Sequence, residues 1–345
     1  MHLYLILLSL FIQAHAPAMW SLQTSGIRTN LRGVSAVMTR DAHGNPSPIV
    51  WACGSNGVIL KSLDGGSTWR QLTVVGGEKV DFRGIQAFGA QTAYAISIGS
   101  GDNSRIYKTT DGGAHWALQF TDKRKEFFLD DIVCITEKHC FVAGDPVDGK
   151  LYLASTEDGE HWKELPRDSM PPALAGEGAF AASSTTLAIY GKKDIYIGTG
   201  GPAARVFHSP DLGKTWTVVN TPILSGQASF GIFSIAREGN TMIAVGGDYQ
   251  SLNRNDLAAA YSTDSGATWK LSAQQPAGFR SAVARLDGDT WVAAGPSGED
   301  ISHDNGVHWS HTDDLKMNAL VVLDKNHAWA VGERGAIARL VSAKK

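Results

Sequence analysis

The sequence has little of what most catalytic or anchoring devices require. Only three of its 345 residues are cysteine, and no Cys/His grouping has the spacing of a metal site. No HExxH segment, P-loop or Gly-x-Ser-x-Gly elbow occurs, which removes the motif-bearing hydrolases and nucleotide-binding folds from consideration. Basic tracts are absent and the net charge is −3 with the signs mixed, so nothing favours a nucleic-acid partner. Past residue 16 no apolar run approaches the roughly 20 residues of a membrane span, and no segment there has a helical hydrophobic period.

What is present is apolar material and turns. Apolar residues make up 43% of the chain, with 38 glycines and 10 tryptophans. A chain this long usually divides its core, unless repeats each contribute a portion of it. At the N-terminus, residues 3–12 form an apolar run that leads to Ala14-His15-Ala16. This has the form of a signal peptide cleaved after Ala16, although only the amino terminus and His2 stand in for the usual basic residues. The expected mature chain, 17–345, is one domain that is secreted or periplasmic. In that compartment Cys134 and Cys140, bracketing a short hairpin, are expected to form a disulfide, the alternative being two small buried residues. Cys53 lies in an apolar strand and reads as an inert core thiol.

An octapeptide, Ser/Thr-x-Asp-x-Gly-x-x-Trp, recurs. It starts at Ser62, Thr109, Ser155, Ser209, Ser262 and Ser302, at intervals of 47, 46, 54, 53 and 40 residues. That interval suits a four-stranded propeller blade. The Asp accepts backbone N–H groups in a tight turn, the Gly takes a positive φ, and the Trp opens the next strand as a packing plate. The turn acids are Asp64, Asp111, Glu157, Asp211, Asp264 and Asp304; in the third copy Glu157 stands where Asp is expected, with Asp158 beside it able to substitute. Small-residue strands ending in Gly precede the turns, as in Trp51-Ala52-Cys53-Gly54 and Val292-Ala293-Ala294-Gly295. The C-terminal blade supplies only three strands, and Trp20-Ser21-Leu22-Gln23 matches the missing fourth. The predicted fold is therefore an all-β, seven-bladed propeller closed by its N-terminal strand.

These octapeptides resemble the Asp-box (bacterial neuraminidase) repeat. The wider pattern is similar to the photosystem II assembly-factor propellers and their secreted bacterial relatives. The resemblance covers nearly the whole mature chain. It implies the fold strongly and the function weakly, because sialidases, other glycosidases, sortilin-type receptors and assembly factors share the repeat. It also implies that the octapeptide turns lie away from the functional face, so their acids, and His115, His161 and His308 within them, are expected to be structural.

The opposite face collects the loops between second and third strands and the connections into each blade, where the repeat breaks down. Candidate binding residues there are Arg205, Asp248, Tyr249, Arg280, Asp300 and Arg334, with an unusually long excursion at 248–256. Asp145, Glu177 and Asp248 are the candidate catalytic acids. The alternative is an ion-pair network in which the arginines neutralise those acids. Sialidase chemistry is disfavoured because no Arg-Ile-Pro segment occurs in the first blade. A dinucleotide site at Gly198-Thr199-Gly200-Gly201 is rejected because a strand, not a helix, follows. The expected function is non-catalytic binding or assembly on the loop-rich face, with a protein or carbohydrate ligand and no cofactor or metal, by a monomer. The alternative is a polysaccharide-acting glycoside hydrolase or lyase.

Overall fold

The computed structural model describes residues 20–41 and 43–341; the proposed signal peptide and its cleavage site at Ala16 lie outside them. The described chain forms seven antiparallel sheets arranged as blades. Blade one comprises Leu31–Arg40, Pro46–Gly54, Ile59–Ser62 and Arg70–Leu72. Each later blade repeats this meander, with inner strands Asp81–Ala87, Leu129–Thr136, Leu187–Tyr190, Gln227–Glu238, Ala282–Asp287 and Met317–Asp324. The inner strands of blades one and seven lie side by side, so the ring closes. Trp20–Gln23 supplies the outer strand of blade seven, with Trp20 opposite Leu340 and Gln23 opposite Ile337. Among the described residues no helix is long and apolar enough to cross a membrane.

The second strands show why blades must pack on one another. They carry Trp51, Tyr94, Phe141, Tyr196, Trp291 and Trp329, all fully buried or nearly so. Several reach the next blade with a polar atom: Trp51 Nε1 donates to Gly89 O (2.9 Å), Tyr94 Oη to Glu137 O (2.8 Å), and Trp329 Nε1 to Gly65 O (3.0 Å) across the closing seam. These three rings thus bury apolar area and satisfy a polar atom at the same interface.

The octapeptide turns repeat a single hydrogen-bond set. Asp64 Oδ1 accepts from the Thr68 amide (2.9 Å) and Oδ2 from the Thr68 hydroxyl (2.7 Å), while Ser62 Oγ accepts from the Gly66 amide (2.7 Å). His115 and His308 take the threonine's place, their Nδ1 atoms 2.6 and 2.7 Å from the acid. The third turn corrects the expected register. Asp158, not Glu157, accepts the Glu160 and His161 amides (both 2.8 Å), and Thr156 replaces Ser155 as the cap for Gly159. That turn is one residue shorter, so the acid moves one place along the chain and Glu157 contributes none of these bonds.

Cys134 and Cys140 are joined by a disulfide with an S–S distance of 2.00 Å. They are opposed partners in the hairpin of blade three. The closed loop is short, so the bridge removes little chain entropy and acts mainly on a local hairpin.

Trp20 is buried against Ala282, Val292 and Leu340 at the junction of blades six and seven. Replacing it with alanine is expected to lower the unfolding free energy by about 3 kcal/mol or more, and deleting Trp20–Gln23 to bare a strand edge as well. Thermal unfolding of both variants checks this; wild-type melting of the deletion variant would contradict ring closure by this strand.

Candidate functional site

The innermost strands begin on the loop-rich face, and five of them carry a bulge. Pairing skips Arg32, Arg83, Asp130, Phe233 and Asn318, each the residue between two registered partners. A bulge leaves one residue unpaired and re-aims its side chain. All five line one cavity of about 580 Å³ at the mouth of the central channel. Ser281 takes the corresponding place in blade six.

Blade four departs from this scheme. Its inner strand is short, and the segment before it, 178–186, crosses the channel. Phe180 stacks on Phe233 with centroids 3.9 Å apart and planes at 11°. Arg83 Nη1 donates to Ala181 O (2.8 Å), and Ser183 Oγ to Ser281 O (2.6 Å). Ser184 Oγ donates to Asp131 Oδ1, and the Leu187 amide to Asp131 Oδ2 (2.8 Å). Blades two, three, five and six therefore hold this segment, and the channel mouth becomes a cup with a floor. The glycines beside it permit its close approach. A Cβ on Gly178 would lie 2.3 Å from Asp145 Oδ1, and one on Gly200 2.3 Å from Phe230 O. Gly200 and Gly201 pair with the inner strand of blade five, which accounts for the glycine-rich segment without any nucleotide.

A second concavity of about 570 Å³ lies between blades three and four, and it shares Asp145, Ala179 and Phe180 with the cup. The two adjoin along that rim.

The acids and arginines singled out in the sequence separate into two groups. Glu177 is buried and fully engaged: Arg205 grips both of its oxygens, with Nε to Oε1 at 2.8 Å, while the Thr199 hydroxyl donates to Oε1 (2.6 Å) and the Leu174 amide to Oε2 (2.8 Å). Arg280 is fully buried and pairs with Asp300 through Nε at 2.6 Å; its Nη1 donates to Ser297 Oγ (2.6 Å). Asp248 accepts the Gln250 amide (2.9 Å) and organises its own loop. Arg334 is exposed on a short turn with φ +55°, where its amide donates to Asn30 Oδ1 (3.1 Å). Within 248–256, Arg254 pairs with Asp256 (2.6 Å) and lies over the Phe230 ring.

Asp145 and Tyr249 are the two sequence candidates that line the cup. Tyr249 remains 46% exposed, edge-on to Phe180 and Phe233 at 6.3 and 6.0 Å. Asp145 sits at a bulge in the second strand of blade three. Burial pushes its carboxyl up to about 6, although the Ala179 amide partly offsets this. Asp130 beside it is raised well above the usual carboxylate range by burial and then by the charge of Asp145. The cup thus has a carboxyl pair on blade three, arginines on blades one and two, and aromatic rings on blades four to six.

An acid whose folded pKa is raised keeps its proton in the folded state after the unfolded chain has lost it. Its stability contribution is therefore lost as pH rises from about 4 through about 6. Asp145→Asn, which retains an acceptor for the Ala179 amide, is expected to be more stable than wild type at pH 7.5 by on the order of 1 kcal/mol. The difference should vanish near pH 4. Melting curves at several pH values check this, and a pH-independent difference would contradict it.

No protein-family model matches the chain. The photosystem II assembly lipoprotein Ycf48 of Synechococcus sp. (strain CC9902) is 27% identical over 296 residues, which cover 70% of this chain and 80% of that protein. Among solved structures, YCF48 bound to D1 peptide superposes with a TM-score of 0.67 at 15% identity, over 96% of this chain and 99% of the other. YCF48 from Cyanidioschyzon merolae gives 0.65 at 15% identity, over 94% and 99%. Blade number, ring closure and sequence likeness agree, and the chain is a Ycf48-like seven-bladed β-propeller.

Proposed function

We propose that this chain is a non-catalytic, extracytoplasmic binding propeller that holds an extended polypeptide segment across its loop-rich face. The observation that carries this reading is the pair of adjoining concavities sharing the Asp145, Ala179 and Phe180 rim. Two linked depressions of this size suit successive side chains of one extended segment, while an exposed aromatic such as Tyr249 is a common anchor. The similar YCF48 structure bound to D1 peptide supports a peptide-type ligand. The lipoprotein description of the Synechococcus relative and the signal-like residues 3–16 support an extracytoplasmic location.

The ion pairs favour binding over catalysis. Of the three acids offered for glycoside hydrolysis, Glu177 is paired with Arg205 and Asp248 is held charged by an amide of its own turn. In this reading Arg205, Arg280 and Asp300 hold the loops in place, and Tyr249 with the cup residues meets the ligand. A single observation favours the enzymatic alternative: the Asp130 and Asp145 pair retains a proton above the usual range, as a general acid must.

A peptide panel tested against wild type, Tyr249→Ala and Leu63→Ala distinguishes the faces, because Leu63 is exposed on an octapeptide turn. Peptides held by the wild type should bind Tyr249→Ala about tenfold more weakly and Leu63→Ala equally well. Loss on Leu63→Ala alone would contradict the reading, and glycan turnover abolished in Asp145→Asn would establish the enzyme instead.

A further inference from the structure

Arg32 differs from the other arginines of the loop-rich face. Arg83 grips Asp81 through Nε and Nη2 (2.9 and 2.8 Å), while Arg205 grips Glu177 and Arg280 grips Asp300. Arg32 has no carboxylate within 4.0 Å among the described residues. Its Nη1 makes one long hydrogen bond, 3.3 Å, to Asn318 Oδ1, and its Nε is buried without a partner. Burial, followed by repulsion from Arg83, pulls it down to about 10, which still leaves it cationic at neutral pH. Asp81 and Glu333 partly offset this, but only from beyond ion-pair distance, and a ligand carboxylate would supply the direct partner that a partly desolvated guanidinium lacks.

The surroundings of Arg32 limit what that ligand can be. Nε faces the protein, so the N–H groups of Arg32 that meet the cup are those of its terminal nitrogens, which suit a carboxylate. Asp81 is already engaged by Arg83, and the remaining acids of the cup, Glu333, Asp130 and Asp145, oppose further negative charge. The balance admits a single negative charge and disfavours a phosphate dianion. Across the cavity stand Phe180, Phe233, Phe279 and Tyr249. That wall is apolar and suits an aryl or alkyl body.

We infer that the channel-mouth cup is a binding site for a monocarboxylate with an apolar body, its head held by Arg32 and its body by the Phe180–Phe233 wall. That chemistry is shared by a free organic acid and by the C-terminal residue of a polypeptide. The inference rests on reading this face as the binding face and names the group recognised there.

The probes are 3-phenylpropionate and its neutral amide, and the tripeptide Ala-Ala-Phe with a free or an amidated C-terminus. Each is titrated by calorimetry into wild type, Arg32→Gln and Arg32→Lys, all first shown to melt cooperatively. At least one acid should bind, with its amide about tenfold weaker or worse. Arg32→Gln should lose the preference for acid over amide, and Arg32→Lys should retain part of it. A free-acid tripeptide binding more tightly than 3-phenylpropionate assigns the head group to a chain terminus; the reverse order assigns it to a small acid. Equal affinity for acid and amide, an unchanged preference in Arg32→Gln, or no binding of either acid at 10 millimolar (about 2.7 kcal/mol of affinity) overturns the inference. If that happens while panel peptides still depend on Tyr249, only the carboxylate site fails and the binding face stands.

Discussion

The structure depends on the fact that no blade can bury both of its own faces. Each four-stranded sheet is marginal alone and becomes stable only when its neighbour covers it. The buried rings of the second strands make that dependence specific, because several end on a carbonyl of the next blade. A ring built this way has no tolerance for an open seam. Trp329 reaches Gly65 across the closure, and Trp20 fills the junction behind it. The octapeptide turns supply some of the carbonyls that receive these rings, at Gly65, Gly159 and Ser265, so their recurrence serves the scaffold.

The two faces treat their carboxylates in opposite ways. In the octapeptide turns, amide N–H groups hold the acids charged: the His115 amide lowers Asp111, the His161 amide Asp158 and the Thr215 amide Asp211. That stabilisation is present above the ordinary carboxylate range and is lost as pH falls. On the other face, burial raises Asp131, behind the cup, to about 7 and Asp145, which lines it, to about 6. That contribution is lost as pH rises. The folded state is therefore favoured in a mildly acidic window, bounded below by the turns and above by the cup.

Elements that repeat in residue type were legible in the sequence. Six octapeptides gave the blade number, and Trp20 gave the closing strand, because each obeys a period with a physical cause. The third turn shifted by a residue, since a seven-residue version makes the same bonds through Asp158. The cup was not legible for a different reason. Its bulged positions recur in place but not in type: Arg32, Arg83, Asp130, Phe233 and Asn318 share only a preceding apolar residue, and in four cases a small residue follows. Sequence reasoning looked to loop acids and arginines, whereas Arg205 and Arg280 hold loops and Arg32 lies at the start of a strand. Phe180 belongs to a segment without periodicity, and only its tertiary contacts carry it into the channel.

The central claim is that the scaffold gathers the bulged positions of its inner strands and the blade-four segment 178–186 into one binding surface, leaving the octapeptide face inert. Hydrogen–deuterium exchange on the full chain, with and without a saturating peptide from the panel, tests this most directly. The account predicts slowed exchange in 174–186, 229–234 and 248–256, with the octapeptide turns from 62–69 to 302–309 unchanged. Protection in those turns, with none in the cup segments, would contradict it.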